Sequence, residues 1–196
     1  SQTACTIGGN IATNSGGPHT LKNGVTTNHV LGYEMVLSDG TIEWLGVEPD
    51  GGEEVAGFDL RGAAIGSEGM FGVVTTVLVR LMKTPPTFKT FLCVFESVDE
   101  ASQAVSGIIA AGIVPAALEM MDQLITQALE EAYHFGFPLD AGAVLIVELD
   151  GLPKGVEQQA KRVEEVCRQN NASEVRLAKD DAERTALWKC RKRAFG

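Results

Sequence analysis

Apolar residues recur along the chain with two different periods, and each period predicts its own kind of element. Alternation in HVLGYEMVLSDGTIEWLG predicts a β-hairpin around Asp39-Gly40, because this dipeptide suits the positive φ angles of a tight turn. A short helix is expected in FDLRGAAIG, followed by a glycine-rich turn and a strand over residues 73–82. Pro85-Pro86 ends that strand and biases the preceding residue toward an extended conformation. We therefore expect two domains, over residues 1–85 and 86–196.

Strands and helices alternate after these prolines. TFKTFLCVFE predicts a strand, and Ser97 with Glu100 forms a capping-box spacing ahead of an apolar helical face. The order continues as strand AALEMM, helix 123–135, strand AVLIVELDG, helix 154–170, strand SEVRLA and a helix from about residue 180. A repeated β-α-β order predicts an α+β chain whose second part is a ferredoxin-like sheet with helices on one face.

Composition and charge exclude several functions. With 44% hydrophobic and 21% charged residues, the chain is typical of a globular protein that buries a core. No apolar run approaches the roughly 20 residues that span a bilayer, so direct membrane insertion is not expected. A net charge of −10 opposes attraction to phosphate backbones, which argues against nucleic acid as a partner. The four cysteines lie far apart without metal-ligand spacing, so we expect reduced thiols and no metal site.

The segment from Gly8 to Gly17 is the first candidate for chemistry. It holds four glycines and two asparagines among ten residues, a composition that favours tight turns and exposed backbone N–H groups. Such a loop binds an anionic or hydrogen-bonding ligand, or it only turns the chain. Composition alone leaves both interpretations open.

The last predicted helix carries the second candidate. Arg184, Trp188, Arg191 and Phe195 follow at steps of four, three and four, so they share a face. An arginine suits a carboxylate ligand because its planar fork donates two parallel hydrogen bonds. The alternative is that KCRKR is a solvated cationic helix end favoured by the helix dipole. Trp188 is expected in the core.

Five segments together carry a resemblance to a known family. They are CTIGGNIATNSGG, GFDLRGAAIGSEGMFGVVTTVLVRL, ALEMMD, VELDG and VRLAKDDAERTALWKCRKRAF. In order and spacing they resemble the FAD-binding subunits of glycolate oxidases, in the vanillyl-alcohol-oxidase (VAO/PCMH) superfamily. The resemblance implies that residues 1–85 form the second, C-terminal lobe of a VAO/PCMH-type FAD-binding domain. It implies that residues 86–196 form the N-terminal part of a ferredoxin-like α/β-sandwich cap, the FAD-linked oxidase C-terminal domain.

The resemblance also implies which residues contact the cofactor and the substrate. The expected FAD neighbours are Cys5, Gly8, Gly9, Asn10, Ala12, Thr13, Asn14, Glu68, Gly72 and Val73. The alternatives are a buried structural thiol for Cys5 and a helix-cap or turn carboxylate for Glu68. In relatives acting on D-2-hydroxy acids, an arginine at the position resembling Arg191 binds the substrate carboxylate, and Arg184 is a weaker candidate for this role.

Other parts of the family pattern are absent from the sequence. Relatives have an earlier glycine-rich loop around the FAD pyrophosphate, and later HAGDGN-like and GEHG-like segments that supply active-site histidines. His19, His29 and His134 match neither segment, so no catalytic residue is assigned. We therefore expect the chain to be an internal part of a longer protein. By itself it is expected to fold, to retain no FAD, to turn over no substrate and to self-associate through apolar surface.

The function implied by the resemblance is FAD-dependent oxidation of a 2-hydroxy acid, of the glycolate or D-lactate type, to the 2-oxo acid. Hydride passes to flavin N5, and the electrons then pass to other oxidase subunits, including an iron–sulfur subunit. The implied location is cytoplasmic, with membrane association through those subunits. One alternative is a D-lactate or D-2-hydroxyglutarate dehydrogenase of the same fold. The other is a non-catalytic assembly module that docks partner subunits.

Overall fold

The chain divides into two compact units, Ser1–Lys83 and Thr84–Gly196. The computed structural model describes residues 5–52 and 57–193 of the chain. Phe195, predicted to continue the face of the last helix, lies outside the described residues.

The first unit is built on a small antiparallel sheet. Its elements are α1 (Ile7–Thr13), α2 (Thr20–Asn23), a 3₁₀ turn (Thr26–Asn28), β1 (Val30–Val36), β2 (Ile42–Gly46), α3 (Leu60–Ala64) and β3 (Val73–Val79). The strand order is β2-β1-β3, with antiparallel neighbours. Six buried residues, Ile11, Val30, Tyr33, Met35, Ala64 and Ile65, form its core. They place α1 and the end of α3 against the sheet.

The predicted hairpin around Asp39-Gly40 is confirmed as the β1–β2 pair. Its turn needs only one left-handed residue, Gly40 with φ +86°, while the Asp39 carboxylate accepts a hydrogen bond from the Thr41 N–H at 2.9 Å. Leu37 N–H donates to the Thr41 carbonyl oxygen and closes the loop. A loop of this length with glycine in the left-handed position is a common hairpin connection.

The first glycine-rich segment is a helix over Ile7–Thr13, so the expectation of a loop was wrong for these residues. The Thr6 hydroxyl caps the helix by accepting a hydrogen bond from the Gly9 N–H at 3.0 Å. Asn14 ends it in the left-handed conformation, with φ 47° and ψ 48°. Ile11, at 1% exposed, anchors it to the core. These caps and this burial outweigh the low helix propensity of glycine.

The second unit is an antiparallel sheet with four helices in its described part. Its elements are β4 (Thr87–Phe95), α4 (Val98–Ala110), β5 (Ala117–Asp122), α5 (Gln123–Tyr133), β6 (Ala143–Gly151), α6 (Pro153–Gln169), β7 (Glu174–Leu177) and α7 (Asp181–Arg193). The strand order is β5-β6-β4-β7, and every neighbouring pair is antiparallel. This is the ferredoxin-like order, so the prediction that residues 88–95 and 143–149 lie in one sheet is confirmed.

Helices cover both faces of this sheet, so the expectation of helices on one face was wrong. On one face α4 and α6 pack against a cluster that includes Phe91, Cys93 and Leu145. On the other face residues of α5 and α7 pack with Leu92 and Ile146. A sheet buried on both faces needs strands that are apolar at successive positions, as β4 and β6 are. The face beneath α7 carries the polar side chains described below.

The helices show no candidate for a membrane span: within residues 5–52 and 57–193, none combines the necessary length with the necessary apolar character.

Candidate functional site

Two glycine-rich segments of the first unit lie side by side. The Gly66 N–H donates to the Ile11 carbonyl oxygen and the Glu68 N–H to the Ala12 carbonyl oxygen, both at 2.8 Å. The turn after α3 is therefore bonded to the C-terminal half of α1. Beside this junction lies a cleft of about 350 Å³. Six predicted FAD neighbours line it: Gly8, Gly9, Ala12, Glu68, Gly72 and Val73.

The remaining four predicted neighbours do not line this cleft. Cys5 is exposed, which disfavours the alternative of a buried thiol. Asn10 accepts a hydrogen bond from the Ser15 hydroxyl at 3.2 Å. The Thr13 hydroxyl donates to the Gly9 carbonyl oxygen at 2.9 Å.

Asn14 has a structural role that the sequence pattern does not reveal. Its side-chain oxygen accepts hydrogen bonds from the Thr27 N–H and the Thr27 hydroxyl, both at 3.0 Å. These bonds hold the end of α1 against the 3₁₀ turn. In the structure this side chain shapes the segment and does not face the cleft.

Two positions in the cleft are occupied by glycine for different reasons. A Cβ at Gly72 would lie 2.5 Å from the Val36 carbonyl oxygen and 2.8 Å from Met35 Cγ, so packing within the unit requires glycine there. Among the described residues, and apart from its chain neighbours and its own helix backbone, a Cβ at Gly8 would meet no atom within 4 Å. Since a helical glycine costs about 1 kcal/mol relative to alanine, the unit's own packing gives no reason for Gly8. The missing side chain leaves room for a ligand to approach the backbone.

The lining of the cleft is poor in charge. Among the described residues that line it, Glu68 is the only ionisable one, and the others are glycines, apolar residues and Ser67. A phosphate group needs basic side chains or convergent backbone donors, whereas a flat, uncharged ring system needs small residues and apolar contact. The cleft therefore suits an uncharged, largely planar group. Sequence reasoning missed Met35 and Ala64 in its lining, because only the fold brings them beside α1.

A buried carboxylate joins the second unit's sheet to α7. Glu148 on β6 is 1% exposed, and its Oε2 accepts hydrogen bonds from Thr90 Oγ1 at 2.8 Å, Arg184 Nε at 2.8 Å and Trp188 Nε1 at 2.6 Å. Burial raises the pKa of this carboxyl, but the bonds from Arg184, Trp188 and Thr90 outweigh burial, so the pKa lies below its ordinary value. The Arg184 guanidinium also stacks over Phe88, 4.4 Å from the ring centroid.

Arg191, the predicted substrate ligand, lies on the same helix and forms an ion pair with Glu119 of β5. Arg191 Nε and Glu119 Oε2 are 3.0 Å apart, and the two side chains are 24% and 19% exposed. This partial burial disfavours the alternative of a fully solvated helix end. Sequence reasoning missed both carboxylate partners, although a glutamate within an apolar strand is a signal, because a buried charge needs a partner.

The histidines and cysteines of the described ranges form no further candidate site. In the described ranges no group of three or more His, Cys, Asp or Glu residues could hold a metal ion. Cys93, Cys167 and Cys190 are buried free thiols. His29 Nε2 is 2.8 Å from the Asn23 carbonyl oxygen, outside the lining of the cleft.

Comparison with known families agrees with this architecture. The profile described as "FAD linked oxidases, C-terminal domain" matches residues 84–196, and the one described as "FAD binding domain" matches residues 1–46. Because the first match covers more than half of the sequence, the chain belongs to the family of FAD-linked oxidases.

Particular relatives confirm the resemblance found in the sequence. The chain is 46% identical over 195 residues to the glycolate oxidase subunit GlcD of Escherichia coli K12, covering 100% of this chain and 38% of that protein. It is 43% identical over 190 residues to the subunit of the same name from Bacillus subtilis, covering 97% and 40%. To the mitochondrial D-2-hydroxyglutarate dehydrogenase of Rattus norvegicus it is 32% identical over 196 residues, covering 97% and 36%. The chain spans about two fifths of the length of these relatives.

Solved structures share the fold at low sequence identity. Alkyldihydroxyacetonephosphate synthase superposes with a TM-score of 0.68 at 20% identity, covering 84% of this chain and 33% of that one. p-Cresol methylhydroxylase with substrate bound gives a TM-score of 0.63 at 17% identity, covering 81% and 37%. With the two family matches, these neighbours confirm the predicted α+β, VAO/PCMH-type fold.

Proposed function

We propose that the intact protein is an FAD-dependent enzyme that oxidises a small 2-hydroxy acid, of the glycolate or D-lactate type, to the 2-oxo acid. The observation that carries the proposal is the cleft between α1 and the turn after α3. There the two glycine-rich segments are bonded together, and Gly8 leaves its backbone accessible. The glycolate oxidase subunits at 43–46% identity support this substrate class.

The residues of the cleft fit an uncharged part of FAD. Gly8, Gly9 and Ala12 let a ring or ribityl chain approach the α1 backbone, and Gly72 and Val73 also line the cleft. The described lining holds a carboxylate and no basic side chain, which favours an uncharged part of FAD over the pyrophosphate at this cleft. When bound, the flavin supplies the acceptor for the hydride that leaves the substrate. The protein orients the substrate and excludes water.

Arg191 is the proposed ligand of the substrate carboxylate. Arg184 is less suited to this role, because its Nε and Nη2 are both bonded to Glu148. Arg191 Nε lies 3.0 Å from Glu119 Oε2, and the planar guanidinium of an arginine suits a carboxylate ligand. The base that takes the hydroxyl proton is not assigned to any histidine of this chain.

The proposed partners are the 2-hydroxy acid and other subunits of an oxidase complex, including an iron–sulfur subunit that accepts the electrons. The proposed location is the cytoplasm, with membrane association through these subunits. That two of the relatives are named as subunits supports the proposal of an assembly.

A second candidate is a D-lactate or D-2-hydroxyglutarate dehydrogenase that uses the same site. Relatives with those names, from Danio rerio and Rattus norvegicus, are 31% and 32% identical to the chain. Specificity constants for glycolate, D-lactate and D-2-hydroxyglutarate measured on the intact protein show which of these acids the site prefers. A tenfold preference for D-2-hydroxyglutarate would favour the second.

Replacement of Gly8 by leucine tests the cofactor cleft. Gly8→Leu adds a side chain at an exposed position of α1 whose Cβ meets no described atom within 4 Å beyond its own helix and chain neighbours, and it removes a helical glycine. We therefore expect the melting temperature of the apoprotein not to fall. FAD affinity should fall at least about tenfold, because the side chain takes the ligand's space. Calorimetric titration of FAD into the intact apoprotein measures the change.

The matched control for this test is Gly155→Leu. Gly155 also lies in the first turn of a helix, α6, and a Cβ there would likewise meet nothing within 4 Å. It does not line the cleft, so FAD affinity should not change. Equal FAD affinity in the Gly8→Leu and Gly155→Leu proteins would remove the cleft from the cofactor site.

Replacement of Arg191 by lysine tests the substrate role. Arg191→Lys keeps the charge but loses the bidentate fork, so kcat/KM for the 2-hydroxy acid should fall about tenfold or more. Steady-state kinetics with the FAD-loaded, intact protein measures this loss. An unchanged kcat/KM would assign Arg191 to helix docking alone.

A further inference from the structure

Two carboxylates lie on one face of the second unit's sheet. In the β5–β6 register Ala117 is opposite Glu148, and Glu119 is opposite Ile146. Since alternate residues of a strand share a face, Glu119 and Glu148 lie on the same face as Ile146. This is the face on which α7 packs. The sheet therefore offers two negative charges to one helix.

The two carboxylates hold different parts of α7. Glu148 accepts hydrogen bonds from both Arg184 and Trp188, one turn apart, which fixes the height and rotation of the helix. Leu187 and Cys190 bury its apolar side. Docking of the helix thus has its own set of contacts, independent of the pair between Arg191 and Glu119.

The Arg191–Glu119 pair also differs from the ion pairs on the surface of α6. In Arg162–Glu165 both side chains are more than half exposed, at 51% and 58%, and the partners belong to one helix. Arg191 and Glu119 belong to separate elements and are 24% and 19% exposed. A solvated pair on one helix contributes little energy and little orientation, whereas a partly buried pair between two elements fixes a side chain.

We propose that Glu119 is a positioning residue that holds the Arg191 guanidinium in the orientation that binds the substrate carboxylate. This inference rests on the proposed function of Arg191 as the substrate ligand. An arginine fixed before the substrate arrives loses less side-chain freedom on binding. Glu119 also offsets the charge of Arg191, so its removal both frees the side chain and strengthens the attraction for an anion. The loss of orientation is the larger of these two opposing effects.

The direction of the change in KM tests this proposal. In the intact, FAD-loaded protein, Glu119→Gln should raise KM for the 2-hydroxy acid about tenfold and lower kcat less. Affinity for oxalate, which has a carboxylate but no C–H bond to oxidise, should fall in parallel when measured by calorimetry. Glu119→Asp, which keeps the charge on a shorter side chain, should give an intermediate KM. The control Glu165→Gln removes a carboxylate from the exposed α6 pair and should leave KM unchanged.

A double-mutant cycle separates positioning from a general structural effect. With Arg191→Lys already present, Glu119→Gln should cause no further rise in KM, because the residue acts only through the arginine. An equal rise in both backgrounds, or an unchanged or lower KM in the single variant, overturns the proposal. If Glu119→Gln yields no folded protein, Glu119→Asp is judged by the same criteria.

Failure of the proposed function gives a different result. An unchanged kcat/KM in Arg191→Lys would remove Arg191 from the substrate site and this inference with it. A loss in Arg191→Lys together with an unchanged KM in Glu119→Gln would keep the proposed function and reject only the role of Glu119.

Discussion

Glu148 is a buried carboxylate that is stabilised by hydrogen bonds from three side chains. Removing the charge of the Glu148 side chain leaves Arg184 and Trp188 with a weaker hydrogen-bond acceptor in a buried site. Glu148→Gln should therefore lower the free energy of unfolding at pH 7 by about 2 kcal/mol, the range of a hydrogen bond to a charged group. Urea unfolding of the two proteins measures this difference.

The same residue sets a pH dependence. Its folded pKa lies below the ordinary value of 4.5, so its contribution to stability is complete above pH 4.5 and is lost as the pH falls through the folded pKa. Below pH 4.5 the wild-type protein should lose stability more steeply than Glu148→Gln. Glu157→Gln, at an exposed position of α6, should keep the wild-type slope. Parallel pH profiles for the wild type and Glu148→Gln would show that folding does not shift the pKa of Glu148.

At the scale of elements, the sequence predicted helices and strands best where the hydrophobic periodicity and the turn residues indicated the same element. The hairpin around Asp39-Gly40 and the strand–helix order of the second unit follow from such local signals. The helix α1 could not be predicted in this way, because its glycines disfavour a helix and the burial of Ile11 is a tertiary effect. A local sequence pattern does not show which residues are buried by distant parts of the chain.

The same limit explains which site residues the sequence predicted. The spacing placed Arg184, Trp188 and Arg191 on one face of α7, and the structure turns all three toward the sheet. Their partners, Glu119 and Glu148, come from strands more than 30 residues earlier in the chain. Strand register, which brings both carboxylates under this helix, is set by the whole sheet and cannot be read from helix spacing.

At the scale of the whole molecule, the two units differ in how much apolar surface they bury. In the second unit seven consecutive residues of β6, 143–149, are buried, and helices cover both faces of the sheet. In the described part of the first unit the core has six buried residues, while Phe58, Met70 and Leu81 are 96%, 83% and 87% exposed. Since burial of apolar surface is the main stabilising term, the first unit has the smaller reserve of stability.

Native-state hydrogen exchange on the 196-residue chain tests this difference. β1 and β6 make a matched comparison, because each is a central strand bonded to a neighbour on both sides. The amides of β6 should exchange only through global unfolding of the second unit, whereas those of β1 exchange through openings of lower free energy. We expect β1 to exchange on the order of a hundredfold faster, a difference of about 2.7 kcal/mol. Equal protection of the two strands would show that the small core of the first unit is as stable as the large one.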